Sequence, residues 1–427
     1  MILLSYCYFV AVTAALAFAR PSLEIRSRSL HQQVAHKSVR ANDIVSSAWY
    51  TGWHAEYFPL DNVSWDKYTH LTYAFKGTSE NASDTSLPDS DADLLPQFVA
   101  KAHENDVKAL LSVGGWGGSQ YFSTNVGDEN NRTKFVSAMT ELVNTYQLDG
   151  IDFDWEYPGR QGIGCNTISP NDSANFLAFL QELRNTSLGP SLILTAAVSL
   201  NPFTDGEGVP SPNVTGFANV LDYIAIMDYD VWGSWSPRVG PNAPLNDTCA
   251  STEDQQGSAV SAVAAWTKAG MPVNQITLGV ASYGHSFSVN ESSAFDGSSS
   301  KTVLAPYPAF NASAFPVGDS WDGQPGIDMC GNFGQQGGIQ HFWNLVDSGM
   351  LLPNGTAAPG VPYRFDDCSQ TDYLYNTTAG VMISYDGPRA FAAKGNFIRT
   401  AGLRGFAMWE AAGDKDNVLL DAIRDSD

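Results

Sequence analysis

The chain has 427 residues, a hydrophobic content of 43% with 12% aromatics, and a formal charge of −22 at neutral pH. That length and apolar content bury a large core and exclude a disordered chain. The negative charge argues against nucleic acid or an anionic membrane surface as partner, because phosphates are repelled, and leaves a neutral ligand open.

Residues Met1 to Ala19 carry no charged side chain and end in Ala17-Phe18-Ala19, a small-x-small pattern that reads as a secretory signal peptide, with a retained membrane anchor as the alternative. Residues 20–40 hold Arg20, Arg26, Arg28, Lys37 and Arg40 against the single acid Glu24, which reads as a propeptide or an N-terminal arm. No later stretch approaches the ~20 apolar residues a membrane span needs, so no membrane partner is expected after the signal. Eleven Asn-x-Ser/Thr sequons, from Asn62 to Asn376, suit a glycosylated, extracellular product.

Eight β-rich runs follow: 47–53, 69–75, 107–113, 150–155, 192–199, 223–229, 275–283 and 404–409. Amphipathic stretches such as 132–146 and 171–185 lie between them, the second opening on Asn171-Asp172 after a proline. Strands alternating with helices predict parallel βα units. The seventh and eighth runs are separated by a Gly-, Ser-, Pro- and Asn-rich stretch, 285–386, expected to be an α+β insertion, after which 391–401 supplies a helix. The catalytic body is thus expected at 41–284 and 387–427.

The fourth run reads Asp149-Gly-Ile-Asp152-Phe-Asp154-Trp-Glu156. In a strand, side chains alternate, so Asp152, Asp154 and Glu156 share one face while Ile151, Phe153 and Trp155 share the other. Acids inside and apolar groups outside fit a barrel wrapped in helices, with Glu156 at the mouth. Crowded carboxylates in a walled site oppose one another's ionisation, so one of them is expected to stay protonated, as a general acid requires. A calcium loop is disfavoured, because the sixth and twelfth places hold Tyr157 and Ile163 rather than Gly and Glu. Gly114-Gly115 is not followed by the Gly-Lys-Ser/Thr of a phosphate loop. No cofactor and no metal are expected.

The acidic run resembles the signature of family 18 glycoside hydrolases, the family of chitinases. Ser112-Val-Gly114-Gly115, Met227-Asp-Tyr229-Asp230, Tyr283-Gly284 and Gly405-Phe-Ala-Met-Trp409-Glu resemble its motifs on strands three, six, seven and eight. The resemblance implies a (β/α)8 TIM barrel with an α+β insertion between strands 7 and 8. It further implies hydrolysis of chitin or chito-oligosaccharides, endo or exo, by a retaining, substrate-assisted mechanism. Carried onto this chain, Glu156 is the general acid, Asp154 and Asp152 support it, and Tyr229 holds the substrate acetamido group. Trp409 and Asp230 bind sugar, as do Met227, Tyr283, Trp116, Phe75 and Trp53 in an extended surface, while Trp232 and Trp235 are either part of it or packing residues. Asp149, Gly114 and Gly115 are expected to be structural. His285 departs from the Arg found there in many members, and either titrates in the cleft or is structural. The alternatives are an endo-N-acetylglucosaminidase acting on N-glycans and a chitin-binding lectin without turnover; a monomer is the default.

Cys7 leaves with the signal, and Cys165, Cys249, Cys330 and Cys368 then permit two disulfides in three pairings. Cys165–Cys249 with Cys330–Cys368 is the expected set, because the second pair then closes one local segment.

Overall fold

A computed structural model of the chain describes residues 44–297 and 303–425. The leader and arm expected over residues 1–40 lie outside the described residues. Eight parallel strands close a barrel: β1 (Val45–Thr51), β2 (His70–Lys76), β3 (Lys108–Gly114), β4 (Gly150–Asp154), β5 (Ile193–Val198), β6 (Tyr223–Ile226), β7 (Ile276–Ala281) and, last in the chain, β15 (Gly405–Trp409). β15 closes the ring by pairing in parallel with both β7 and β1.

The connecting helices are α1 (Asp89–Glu104), α2 (Phe122–Val126), α3 (Glu129–Tyr146), α4 (Asp172–Arg184), α5 (Thr215–Ala218) and α6 (Ala259–Lys268). Local chemistry sets their ends. The Asp128 side chain accepts the Asn131 N–H at the start of α3, and Ser258 and Ser261 form a reciprocal capping box at the start of α6. On β4, Ile151 and Phe153 face outward, and Trp155 beyond its end turns the same way. Phe153 packs edge-on against Phe176 and Phe179 of α4, and Trp155 stacks on Phe122 at 4.9 Å. Inside the barrel, Ala74, Ala197, Ala225 and Ala407 form a separate small cluster with Trp49. Their short side chains leave room beneath the mouth.

The seventh barrel strand ends earlier than its hydrophobic run suggests. Ser282 breaks it by donating its hydroxyl to Glu410 O and accepting the Glu410 N–H, and an antiparallel strand, β8 (Tyr283–Ser288), begins at once. β8 opens the inserted region. Beyond it come α7 (Glu291–Ala294), β9 (Gly326–Ile327), β10 (Phe333–Gly334), β11 (Ile339–His341), α8 (Phe342–Asp347), β12 (Tyr363–Asp366), β13 (Thr371–Asn376) and β14 (Val381–Tyr385). β11, β8, β14, β13 and β12 form one antiparallel sheet in that order, and β9 pairs with β10. The chain re-enters the barrel through α9 (Pro388–Ala401), with proline in its first turn and Gly402 at φ +72° as its C-cap, and ends in α10 (Val418–Arg424).

The disulfides correct the expected pairing. Cys165 bonds Cys330 and Cys249 bonds Cys368, with Cα separations of 5.5 and 5.8 Å. Cys165 and Cys249 sit on loops after β4 and β6, and each meets a segment of the insertion folded over it, so the bridges join distant chain rather than closing one local loop.

Candidate active site

The C-terminal ends of the barrel strands surround two overlapping cavities of about 790 and 800 Å3 that share Trp53, Trp116, Glu156, Tyr157, Asp230 and Trp409. β4 delivers the acidic row into them. Asp152, deepest, accepts hydrogen bonds from Thr195 Oγ1 (2.6 Å), Ser112 Oγ (2.8 Å) and Trp49 Nε1 (3.1 Å). Burial raises its pKa and these three donors oppose the rise. Asp154 is buried with Oδ1 unpartnered, and burial together with the charges of Glu156 and Asp152 holds its carboxyl well above the usual range. Glu156 lines both cavities, and burial pushes its pKa up to about 7, with the charge of Asp230 adding to the rise and the Tyr157 hydroxyl and Arg160 opposing it.

The β3 turn holds this row from behind. Gly114 sits at φ +110°, where an added Cβ would lie 2.1 Å from Asp154 O, and Gly115, at φ +80°, donates its N–H to the same oxygen at 2.8 Å. The Ser119 hydroxyl donates to Asp154 O at 2.9 Å and accepts the Glu156 N–H at 3.0 Å. The turn therefore fixes the backbone on both sides of Trp155. Asp149 lies at the opposite end of β4, engaging the Ala109 N–H, Lys108 and His103 at 2.7–3.0 Å, far from the cavity lining.

β6 ends at Ile226, three residues short of the end of its expected run at Tyr229, and Met227, Tyr229 and Asp230 line the cavity. Asp230, at φ +56°, accepts the Tyr283 hydroxyl and bonds His285 Nε2, both at 2.7 Å through Oδ1. His285 is buried, with its ring edge-on to Trp235 at 5.3 Å, so it stands as a wall group that aims Asp230. Burial, then the charges of Asp154, Asp230 and Glu156, keep the Tyr229 hydroxyl protonated.

Trp409 is stacked on Phe75 (5.5 Å) and close to Trp49 (5.9 Å) and Trp53 (6.4 Å), forming an aromatic floor. Trp53, Trp116 and Trp235 are more than half exposed around it. Trp232 is not part of this surface: its ring is buried against Gly240 and Tyr307.

A cluster that the sequence did not single out closes one wall. Buried Glu410 accepts the Thr51 hydroxyl, bonds His54 Nδ1 at 2.7 Å and lies 3.8 Å from His341 Nε2, while His341 Nδ1 bonds Asp319 at 2.9 Å. Trp321 stacks on His54 at 3.9 Å. These residues meet across the β1 loop, the β15 end and the insertion; only Glu410, beside the Trp409 motif, had a sequence signal.

The model of Glycosyl hydrolases family 18 matches residues 46–414. A "chitinase-like effector" of Moniliophthora roreri is 51% identical over 384 residues, covering 90% of this chain and 93% of its own length. A "Probable endochitinase" of Caenorhabditis elegans is 28% identical, covering 90% of this chain and 58% of its own. Among solved structures, a chitinase from Rhizomucor miehei superposes with a TM-score of 0.79 at 32% identity, covering 89% of this chain and 99% of that one.

Proposed function

We propose, from the premise that this chain belongs to glycosyl hydrolases family 18, that it is a secreted chitinase. It would cleave β-1,4 bonds between N-acetylglucosamine units with retention of configuration. One observation carries the mechanism: Asp154 at the end of β4 and Glu156 just past it enter the cavity from the same side, one behind the other, so they do not flank a bond from opposite faces. A pair of facing carboxylates is what an ordinary retaining glycosidase needs. The other carboxylates lining the cavities are committed: Asp230 to Tyr283 and His285, Glu410 to Thr51 and His54, and Asp322 to Gln336 and the N–H groups of Gly318 and Gly338.

The attacking group is then the substrate's own acetamido oxygen. Glu156, with its pKa near 7, is protonated at mildly acidic pH and donates that proton to the glycosidic oxygen as the C–O bond breaks. The acetamido oxygen closes on the anomeric carbon, and the positive charge develops on the acetamido group beside Asp154, whose unpartnered Oδ1 accepts its N–H. The Tyr229 hydroxyl donates to the acetamido oxygen. Water then opens the ring, with Glu156 taking its proton. Trp409 supplies the flat apolar face for the pyranose.

The test is a defined chito-hexasaccharide beside a high-mannose glycoprotein, with wild type and Glu156→Gln. Short chito-oligosaccharide products and a loss of roughly 10²–10⁴ in rate for the variant are expected. Unchanged turnover in Glu156→Gln, or release of N-glycans alone, overturns the assignment. The M. roreri relative's name, "chitinase-like effector", favours a second reading, sugar binding without turnover. Glu156, Asp154 and Tyr229 together at the mouth weigh toward hydrolysis, and oligosaccharide binding by wild type without products would decide for the second.

A further inference from the structure

Beyond the cleft lies a separate cavity of about 620 Å3 between the β1 loop, the insertion and the segment after β15. It touches the catalytic cleft through one shared side chain, Trp321. On the cleft side, Trp321 is stacked by His54 at 3.9 Å; Trp343 and Tyr57, both lining the second cavity, lie 4.9 and 6.0 Å from it. Tyr57 is 66% exposed.

The polar lining divides into committed and uncommitted groups. Lys415 is paired with Asp347 at 2.9 Å, and Asp414 is occupied by the backbone N–H groups of Lys415, Leu419 and Leu420. The side chains of Asn62, Asp416 and Asn417 carry no hydrogen bond to other described residues. Carboxylates outnumber the single lysine, which disfavours a phosphate or sulfate. Flat aromatic faces beside free amide and carboxylate groups suit a neutral, hydroxyl-rich ligand.

We infer that this cavity is a carbohydrate subsite that takes an N-acetylglucosamine unit of a chain whose other units occupy the catalytic cleft, with Trp321 as the partition the chain crosses. The inference rests on the hydrolase reading for the identity of the sugar. Occupancy then depends on chain length, because a unit held beyond Trp321 belongs to a longer chain than one held in the cleft alone.

The test measures binding by calorimetry in a Glu156→Gln background that also carries Asn62→Gln, so that no glycan at that sequon enters the cavity. Chito-trisaccharide and chito-octasaccharide are compared with and without Tyr57→Ala and Trp343→Ala. Each ring removed is expected to weaken the octasaccharide by roughly 2- to 12-fold and leave the trisaccharide unchanged. Equal affinities in all variants, or the same loss at both lengths, would overturn the subsite. Should Trp343→Ala fold poorly, Tyr57→Ala alone decides, because that ring is solvent-facing. Wild-type turnover is followed in parallel: its absence refutes the hydrolase reading, whereas the length dependence of binding judges the cavity by itself.

Discussion

Asp154 and Glu156 hold raised pKa values side by side, so the last proton the pair keeps leaves against the charge of the carboxylate already formed; Asp154→Asn takes that charge away while keeping the side chain's shape. Glu156 lies two residues past Asp154, the last residue of β4, about 6.5–7 Å at the rise of an extended chain. At that separation one unit charge contributes ~2.5 kcal/mol at an effective dielectric of ~20 and ~0.6 kcal/mol in water. The Glu156 proton is therefore expected to be released about 0.5–2 pH units earlier in the variant. Burial, the leading cause of the raised value near 7, remains, so the group stays above an ordinary glutamate. The assay is the pH dependence of kcat/KM on a chito-oligosaccharide, whose basic limb reports loss of the acid's proton in the free enzyme. Wild type should lose activity as pH rises through about 7, and the residual activity of Asp154→Asn should fall at lower pH. A basic limb that stays in place, or moves upward, would refute the coupling on which the acid's assignment depends.

Three further outcomes follow from groups around the site. Lys394 is buried between Asp386 and, at 4.0 Å, Asp228, whose pKa is pushed up to about 8 chiefly by burial. Lys394→Met should cost ~3–5 kcal/mol in denaturant unfolding. Carboxylates with raised folded-state pKa values lose stability as pH rises, so the deficit should be larger at pH 8 than at pH 5; a flat or inverted dependence contradicts this. Gly114→Ala places a methyl into Asp154 O and strains a positive φ, so a loss of several kcal/mol, or no folded protein, is expected from thermal melts. Near-wild-type melting would mean the turn does not hold the acidic row. Serine at Cys165 and Cys330 together removes a crosslink spanning 165 residues, for which about 2–5 kcal/mol is expected in unfolding.

The eight barrel strands were legible because each is a short β-rich run separated by an amphipathic helix, and the acidic row because a period of two is a strong signal inside five or six residues. The breaks were harder. The seventh run read on to Tyr283, two residues past the end of β7 at Ala281, since the β-rich pattern continues through Ser282 and only that residue's bonds to Glu410 end the barrel strand. The disulfides followed from folding of the insertion over the barrel loops, which no local spacing encodes. Trp232 and Trp235 are three residues apart in the same loop, yet one is buried against Gly240 and the other faces the cleft. His54, His341, Asp319 and Glu410 meet from segments separated by up to 356 residues, so their chemistry exists only in the assembled wall.

The central claim, an acid at position 156 paired with a nucleophile brought by the sugar itself, is tested most directly by proton NMR of the first product formed from a β-linked chito-oligosaccharide, read before mutarotation. The account predicts the β-anomer at the new reducing end. The α-anomer would mean that water attacks directly from the opposite face, and would contradict it.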